Sequence, residues 1–403
     1  MHFQLSWRNI WRNPKRTLII LAAVVIGAWT MLAFSALSRG IMASTLSSAL
    51  NTLTGHIQIQ TPAFRDDPVV ENRIKDLQPL EILLPGSLPR GAAWAFRLQV
   101  NGVASNARNS KGVTIVGIEP GREEKLSFYG APLAGGRFLK PGEKNGIILG
   151  KALAESFETK LNRKIVLMTQ GTDQKTASRA FKIRGIFQTE MEATEKQYVF
   201  ISLGTAQKFL GTGNSATSAC IKLPDLDLLD KTKQILVHNL PKGLTVLTWP
   251  DLLPLLKGYL GMFDSFMLLW YVVGFLAMAF GLVNTMLMAV LERTREFGLL
   301  KALGMKPVWI VRNVLLECLI LLFIGLATGN LLGFATVAAL SGGIDLSFLA
   351  EGSEYFGMGN IVIPFLTVKD VISVNAVILV LGMAVCLYPA VKAGRITPVD
   401  AMA

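Results

Sequence analysis

The sequence predicts a membrane α-helical protein: four transmembrane helices, with a large α+β extracytoplasmic domain inserted between helices 1 and 2. Three observations predict it. Half of the 403 residues are hydrophobic and the mean hydropathy is +0.44, more apolar than a soluble chain of this length. The apolar residues gather near the start and in the last third, around a middle of ordinary polarity. Lys and Arg collect at the ends of the apolar runs, where cytoplasmic segments flank membrane spans.

Residues 1–16 form a cytoplasmic amphipathic segment, with Leu5, Trp7, Ile10 and Trp11 among arginines, suited to lie in the membrane interface. Residues 17–39 are the first span, at about 20 residues per bilayer crossing. A cleaved signal peptide is the rival reading, since Ala33-Phe-Ser-Ala36 resembles a cleavage site; the long basic approach and the length of the run favour a retained helix.

Residues 40–260 form the α+β domain. Short alternating strands are expected at 55–60, 113–117, 164–169, 181–187, 198–202 and 244–249, and helices at 151–158, 203–210 and 226–238. Pro and Gly at 85–91 and 130–142 mark candidate boundaries between two lobes. The second span, 261–291, exceeds one crossing, so its surplus is expected to project as a stalk or to tilt. Residues 292–307 return on the cytoplasmic side. The third span is 308–340, followed by an extracytoplasmic loop, 341–370, with Asp345, Glu351 and Glu354. The fourth span is 371–388 and the tail, 389–403, is cytoplasmic.

The net charge of +12 is explained by topology rather than by nucleic acid. Arg8, Arg12, Lys15 and Arg16 precede the first run, Arg293, Arg295, Lys301, Lys306 and Arg312 lie between the second and third, and Lys392 and Arg395 follow the last. This places a multi-pass protein in a bacterial inner membrane, touching anionic lipid, with both termini cytoplasmic. Three cysteines are too few for a disulfide framework: Cys318 and Cys386 read as packing residues and Cys220 as a buried free thiol. His2, His56 and His238 have no metal-ligand spacing. There is no P-loop, so any nucleotide chemistry belongs to another chain, and this chain is expected to be non-catalytic with no cofactor. The acidic pairs Asp66–Asp67 and Glu123–Glu124 do not share a helix face and read as solvated surface.

Polar groups within the spans are functional candidates by default. Glu317 is expected to snorkel or to pair with Arg312. Asn284 and Asn330 are expected to hydrogen-bond between helices, and Gly325, Gly329 and Gly333 share one helix face that favours close approach. Met262, Met267, Met278, Met286 and Met288 read as a soft, lipid-facing surface or as the lining of an acyl-chain cavity.

The most informative stretch is Leu291 to Met305. Glu292, Arg293, Arg295 and Glu296 form its polar start with opposite charges three residues apart, Phe297, Leu299, Leu300 and Leu303 are apolar, and Gly304 and Pro307 stop the helix. It is either a lipid-surface helix between two spans or a plug for a partner's groove, anchored by Phe297 and Leu300.

Glu292 to Met305 resembles the E-R-x-R-E-[IF]-G-x-[LM]-[RK]-A-x-G signature of FtsX-like, MacB-type ABC transporter permeases. Trp7 to Thr17 and Tyr388 to Met402 resemble that family's first segment and its ending, with Gly394 where Ala is common. The 187–207 region is similar to the extracytoplasmic domain of the LolC/LolE lipoprotein-releasing group. The resemblance implies that Glu292, Arg293, Arg295, Glu296, Phe297, Leu300 and Lys301 contact an ATPase. It implies two copies of a P-loop ABC ATPase carrying ATP and Mg, a second identical or homologous permease, and a periplasmic lipoprotein carrier or adaptor. The implied work is to extract or release lipoprotein or another lipid-bearing substrate. Peptide or small-amphiphile export of the MacB kind and FtsX-like signalling to a cell-wall hydrolase are the alternatives within the family. A membrane-anchored sensor without an ATPase is the alternative outside it.

Overall fold

The computed structural model describes residues 11–130, 133–172, 175–189, 192–345 and 361–397. Leu5, Trp7, Arg8, Ile10, Glu351, Glu354 and the last tail residues lie outside them. In chain order, helix α1 (Pro14–Ala49) leads to strand β1 (Ile57–Gln60), α2 (Gln78–Ser87), β2 (Ala93–Ser105), β3 (Ser110–Ile118), β4 (Leu133–Gly136), β5 (Gly146–Gly150) and α3 (Lys151–Ser156). Then follow β6 (Lys164–Gln170), β7 (Thr176–Phe187), β8 (Tyr198–Ser202), α4 (Leu203–Leu210), β9 (Ser218–Lys222), α5 (Leu229–Asn239) and β10 (Thr245–Thr248). The last third is helical: α6 (Pro254–Glu292), α7 (Thr294–Ala302), α8 (Pro307–Ala339) and α9 (Val368–Arg395). The chain divides into a helical unit and a sheet unit, the latter drawn from the described residues of Thr45–Gly258.

In the helical unit four helices, α1, α6, α8 and α9, are long and apolar enough to cross a membrane. Three outrun the expected spans. α1 continues to Ala49 because Ser44, Thr45, Ser47 and Ser48 lower hydropathy without breaking a helix. α6 starts at Pro254; its 39 residues would reach about 58 Å at 1.5 Å each, against ~30 Å of hydrocarbon. α9 runs through Pro389, at the cost of one backbone bond, so residues 389–395 of the expected tail are helix.

Close packing explains the α8 glycines. A Cβ on Gly325, Gly329 or Gly333 would lie 2.5 Å from Val24, 2.6 Å from Ala28 or 2.9 Å from Leu32, all on α1. α1 also meets α6 closely, with Gly27 against Met278 and Gly274 against Met31. Met267, Met278 and Met286 are core residues, while Met262 and Met288 face outward.

Asn330 bridges α8 to α9: its amide donates to Asn375 Oδ1 at 2.8 Å and accepts in return at 3.1 Å. Asn284 differs from expectation. It is exposed on α6, because the helix turns its Leu282 and Met286 side inward. Cys318 and Cys386 also need correction: they are disulfide-bonded. α8 and α9 place them at one level, which 68 residues of separation conceal. At the opposite end of this unit from α7, Arg39 is shared between Asp370 (2.9 Å) and Asp264 (2.7 Å), and Lys369 also reaches Asp264.

The sheet unit is one ten-stranded sheet, ordered β10-β1-β9-β2-β3-β8-β5-β7-β4, with β6 bridging β2 and β7. Most pairs are antiparallel; β3–β8 and β5–β7 are parallel. One core cluster holds Leu98, Ile115, Leu149, Phe181 and Ile201, and another holds Val116, Ile118, Ile148 and Phe200. The neighbours 115/116, 148/149 and 200/201 fall in different clusters, as the period-2 side-chain alternation requires for a sheet covered on both faces.

No lobe boundary falls where Pro and Gly suggested one. Pro85 lies inside α2, and 130–142 contains β4, which pairs with β7. Glu123 is not solvated surface: the turn Pro120–Glu123 points it inward, where it is fully buried against Arg97.

Candidate functional site

The candidate site is built around α7. α6 ends at Glu292, and Arg293 leaves helical geometry (φ −105°, ψ 16°), which turns the chain into α7. Beyond the far end of α7, Gly304 adopts φ +90°, a conformation that favours glycine, and Pro307 opens α8.

Three other segments hold α7 and its leading turn: α8, the start of α1 with the residues just before it, and the end of α9. Arg293 is 8% exposed and its Nη1 donates to both oxygens of Glu317 on α8, at 3.0 Å each. Asn313 adds a bond to Glu317 at 3.2 Å. Glu317 therefore pairs across helices and not with Arg312, whose guanidinium lies over Trp309 instead. Glu292 accepts from Asn13 and Arg16, both at 3.2 Å, and Glu296 accepts from Arg12 and from Arg293. Lys301 Nζ donates to the Ile396 carbonyl at 2.7 Å, just past α9. Partial burial works against the charge on Glu296, but Arg12 and Arg293 outweigh it and hold its carboxyl below the ordinary carboxylate range.

The apolar side chains divide by face. Phe297 is 2% exposed, packed in the core of its own unit with the Arg293 guanidinium 5.1 Å from its ring centroid. Leu300 is half-buried against the same core. Phe297 is therefore not free to enter a partner's groove, whereas Leu300 keeps part of its surface open. Leu299 and Leu303, 64% and 77% exposed, point outward with Arg295. Leu299 lies about 200° around the helix from Phe297 at 100° per residue, so a helical projection separates the two faces. The pairings of Arg12, Asn13 and Arg16 join residues some 280 positions apart and left no such trace.

The arrangement fixes one face of a short helix to three segments of the bundle and leaves the other face, with Arg295, Leu299 and Leu303, exposed. Displacing α7 would therefore pull on α1, α8 and the end of α9 together.

Comparison with known proteins gives two family matches: the MacB-like periplasmic core domain over residues 17–238 and the FtsX-like permease C-terminal segment over 268–398. The lipoprotein-releasing system transmembrane protein LolC of Xylella fastidiosa is 25% identical across 78% of each chain. LolE of Haemophilus influenzae is 22% identical across 99% of this chain and 98% of its own. The macrolide export ATP-binding/permease protein MacB of Burkholderia lata is 31% identical over 30% of this chain and 16% of its own.

Proposed function

Because this chain belongs to the family of the MacB-like periplasmic core domain, continued here into an FtsX-like permease C-terminal segment, we propose that it is the membrane subunit of an ABC machine that extracts or releases lipoprotein, or a similarly lipid-bearing cargo, from a bacterial inner membrane. The observation that carries this is colinearity with a lipoprotein-releasing protein along nearly the whole of both chains.

The working unit has two such permeases, identical or homologous, and two copies of a separate P-loop ATPase that binds ATP and Mg. The sheet domain, inserted between the first two spans, lies outside the cytoplasm and both termini lie within. The clustering of Arg12, Arg16, Arg293, Lys301 and Arg395 at one end of the helical unit supports this orientation.

The ATPase grips the outward face of α7 through Arg295, Leu299 and Leu303. Arg293, Glu296, Phe297 and Lys301 act behind that face, passing its displacement into α8, α1 and the end of α9. Closing of the ATPase pair thus biases a two-state helical element. The cargo's acyl chains lie against the outer halves of α1 and α6, where Phe34, Phe266 and Trp270 make an exposed aromatic cluster.

Purification of the complex in nanodiscs, with mass spectrometry of the co-purifying protein, tests this. Acylated lipoprotein is expected to co-purify and to leave when ATP is added. Its absence, or retention unchanged by ATP, overturns the reading.

A further inference from the structure

The end of α1 carries a feature that the coupling scheme above does not use. After Ala49 the helix widens through Leu50–Thr54, where Thr52 (φ −84°, ψ 59°) and Leu53 (φ +68°) leave helical geometry. Leu53 occupies the left-handed region, which favours glycine and is costly for a residue with a Cβ. Its side chain is buried in the cluster with Val116, Ile118, Tyr129, Ile148 and Phe200. Its carbonyl accepts from Arg97 Nη1, on β2, and from Gln58 at 3.4 Å.

Arg97 and Glu123 are both fully buried. Glu123 takes the guanidinium edge-on, with Nη2 to Oε1 at 2.6 Å and Nε to Oε2 at 3.1 Å. Ser127 donates to the same carboxylate at 2.6 Å. This leaves Nη1 aimed at Leu53, with Cys220 Sγ 3.3 Å from it. Burying such a pair is expensive, and an apolar pair of equal volume commonly serves stability as well. A guanidinium held in register by a carboxylate offers something apolar side chains do not: a directional grip on one chosen carbonyl. That carbonyl belongs to the residue at which α1 ends.

We propose that Arg97, aligned by Glu123, is the positioning residue that fixes the end of α1 to the sheet, so that a displacement of α1 is delivered to β2 and does not dissipate in a swivel at Leu53. The proposal rests on the lipoprotein-release reading for its purpose, though not for its geometry. β2 is the strand suited to receive such a pull, because it pairs with β3, β9 and β6. Arg97 itself faces Ile118 on β3 and Ser218 on β9, so the load spreads along the sheet in both directions.

The test uses the full chain with its ATPase in nanodiscs. Two variants are compared with wild type: Arg97→Met/Glu123→Leu, which replaces the pair by apolar groups, and Arg97→Lys, which keeps the charges but loses the fork. Spin labels at Ser47→Cys and Lys111→Cys, both exposed, report the joint directly. Wild type is expected to give one narrow distance distribution with and without nucleotide. The variants are expected to broaden it while melting within a few degrees of wild type and hydrolysing ATP within twofold of its rate. Lipoprotein released per ATP is expected to fall at least tenfold.

A narrow label distribution in a folded variant, or release per ATP equal to wild type, overturns the joint. If the double variant does not fold, Arg97→Lys decides alone. If wild type releases no lipoprotein, the functional reading fails, and the label distances still decide the joint.

Discussion

Arg293 and Glu317 bind each other while largely buried, one at the turn that ends α6 and the other nearly three turns into α8, through a single guanidinium nitrogen equidistant from both carboxylate oxygens. The pair makes the turn and α8 one mechanical piece. Removing Glu317 leaves the buried Arg293 guanidinium with only the part-exposed Glu296 beside it, and removing Arg293 leaves the buried Glu317 with the Asn313 amide. Glu317→Ala is therefore expected to lose roughly 3–5 kcal/mol of stability. Arg293→Met/Glu317→Leu should melt close to wild type. Thermal melts in nanodiscs check both, and an unaltered Glu317→Ala melt would contradict the pairing.

Leu299 and Leu303 are exposed, so Leu299→Asp/Leu303→Asp should leave stability within about 0.5 kcal/mol per site. ATPase binding should fall at least tenfold. Phe297→Ala is the converse, costing about 3–5 kcal/mol as a cavity in the core. Affinity capture of the ATPase, run beside melts, separates the two. Normal capture by the double aspartate variant would remove the outward face from the coupling scheme.

Gly329→Val places side-chain atoms where α1 already stands and is expected to cost about 1–3 kcal/mol through overpacking. Gly281→Ala, where nothing lies within 4 Å, should be neutral or slightly stabilising. A cysteine cross-link between α1 and α8 that forms as fast in Gly329→Val as in wild type would rule out the close approach.

His56 sits in the sheet unit with Nδ1 accepting from the Leu223 amide at 3.1 Å, which requires the neutral ring. Burial, reinforced by nearby Lys222, pushes its pKa below the ordinary value. The unfolded chain therefore binds that proton first as pH falls. Stability linked to His56 is whole above about pH 6.5 and is lost progressively below it, down to the folded-state pKa. His56→Asn, which keeps an acceptor but does not titrate, should flatten that part of the melting profile. Parallel pH profiles for the two proteins would exclude His56 as the source.

Much of this organisation is legible in the sequence because a bilayer imposes long apolar runs that composition reveals. The strands at 164–170 and 198–202 are visible for a similar reason, since each alternates or stays apolar over its whole length. β2 is hidden: Arg97 is buried within it, and Gly102 and the small Ala and Ser residues blur its period. Pro85 misleads because its lost bond is tolerated on the exposed side of a half-buried helix. The α7 segment stands out by its charges and its stop, yet which face it turns inward depends on partners such as Glu317 and Ile396 that local spacing does not reveal. Cys318 and Cys386 are likewise invisible as a pair, since their pairing comes from the packing of α8 on α9.

The glycines that line α8 leave hollows in place of knobs. Tilting α1 away would open a void and forfeit dispersion along the whole seam. Gliding lengthwise or rolling would lift Val24, Ala28 and Leu32 out of the hollows that the glycines leave and break the Trp29–Thr336 hydrogen bond. The seam is a keyed joint, and the inexpensive stroke is one in which both rods travel as a pair.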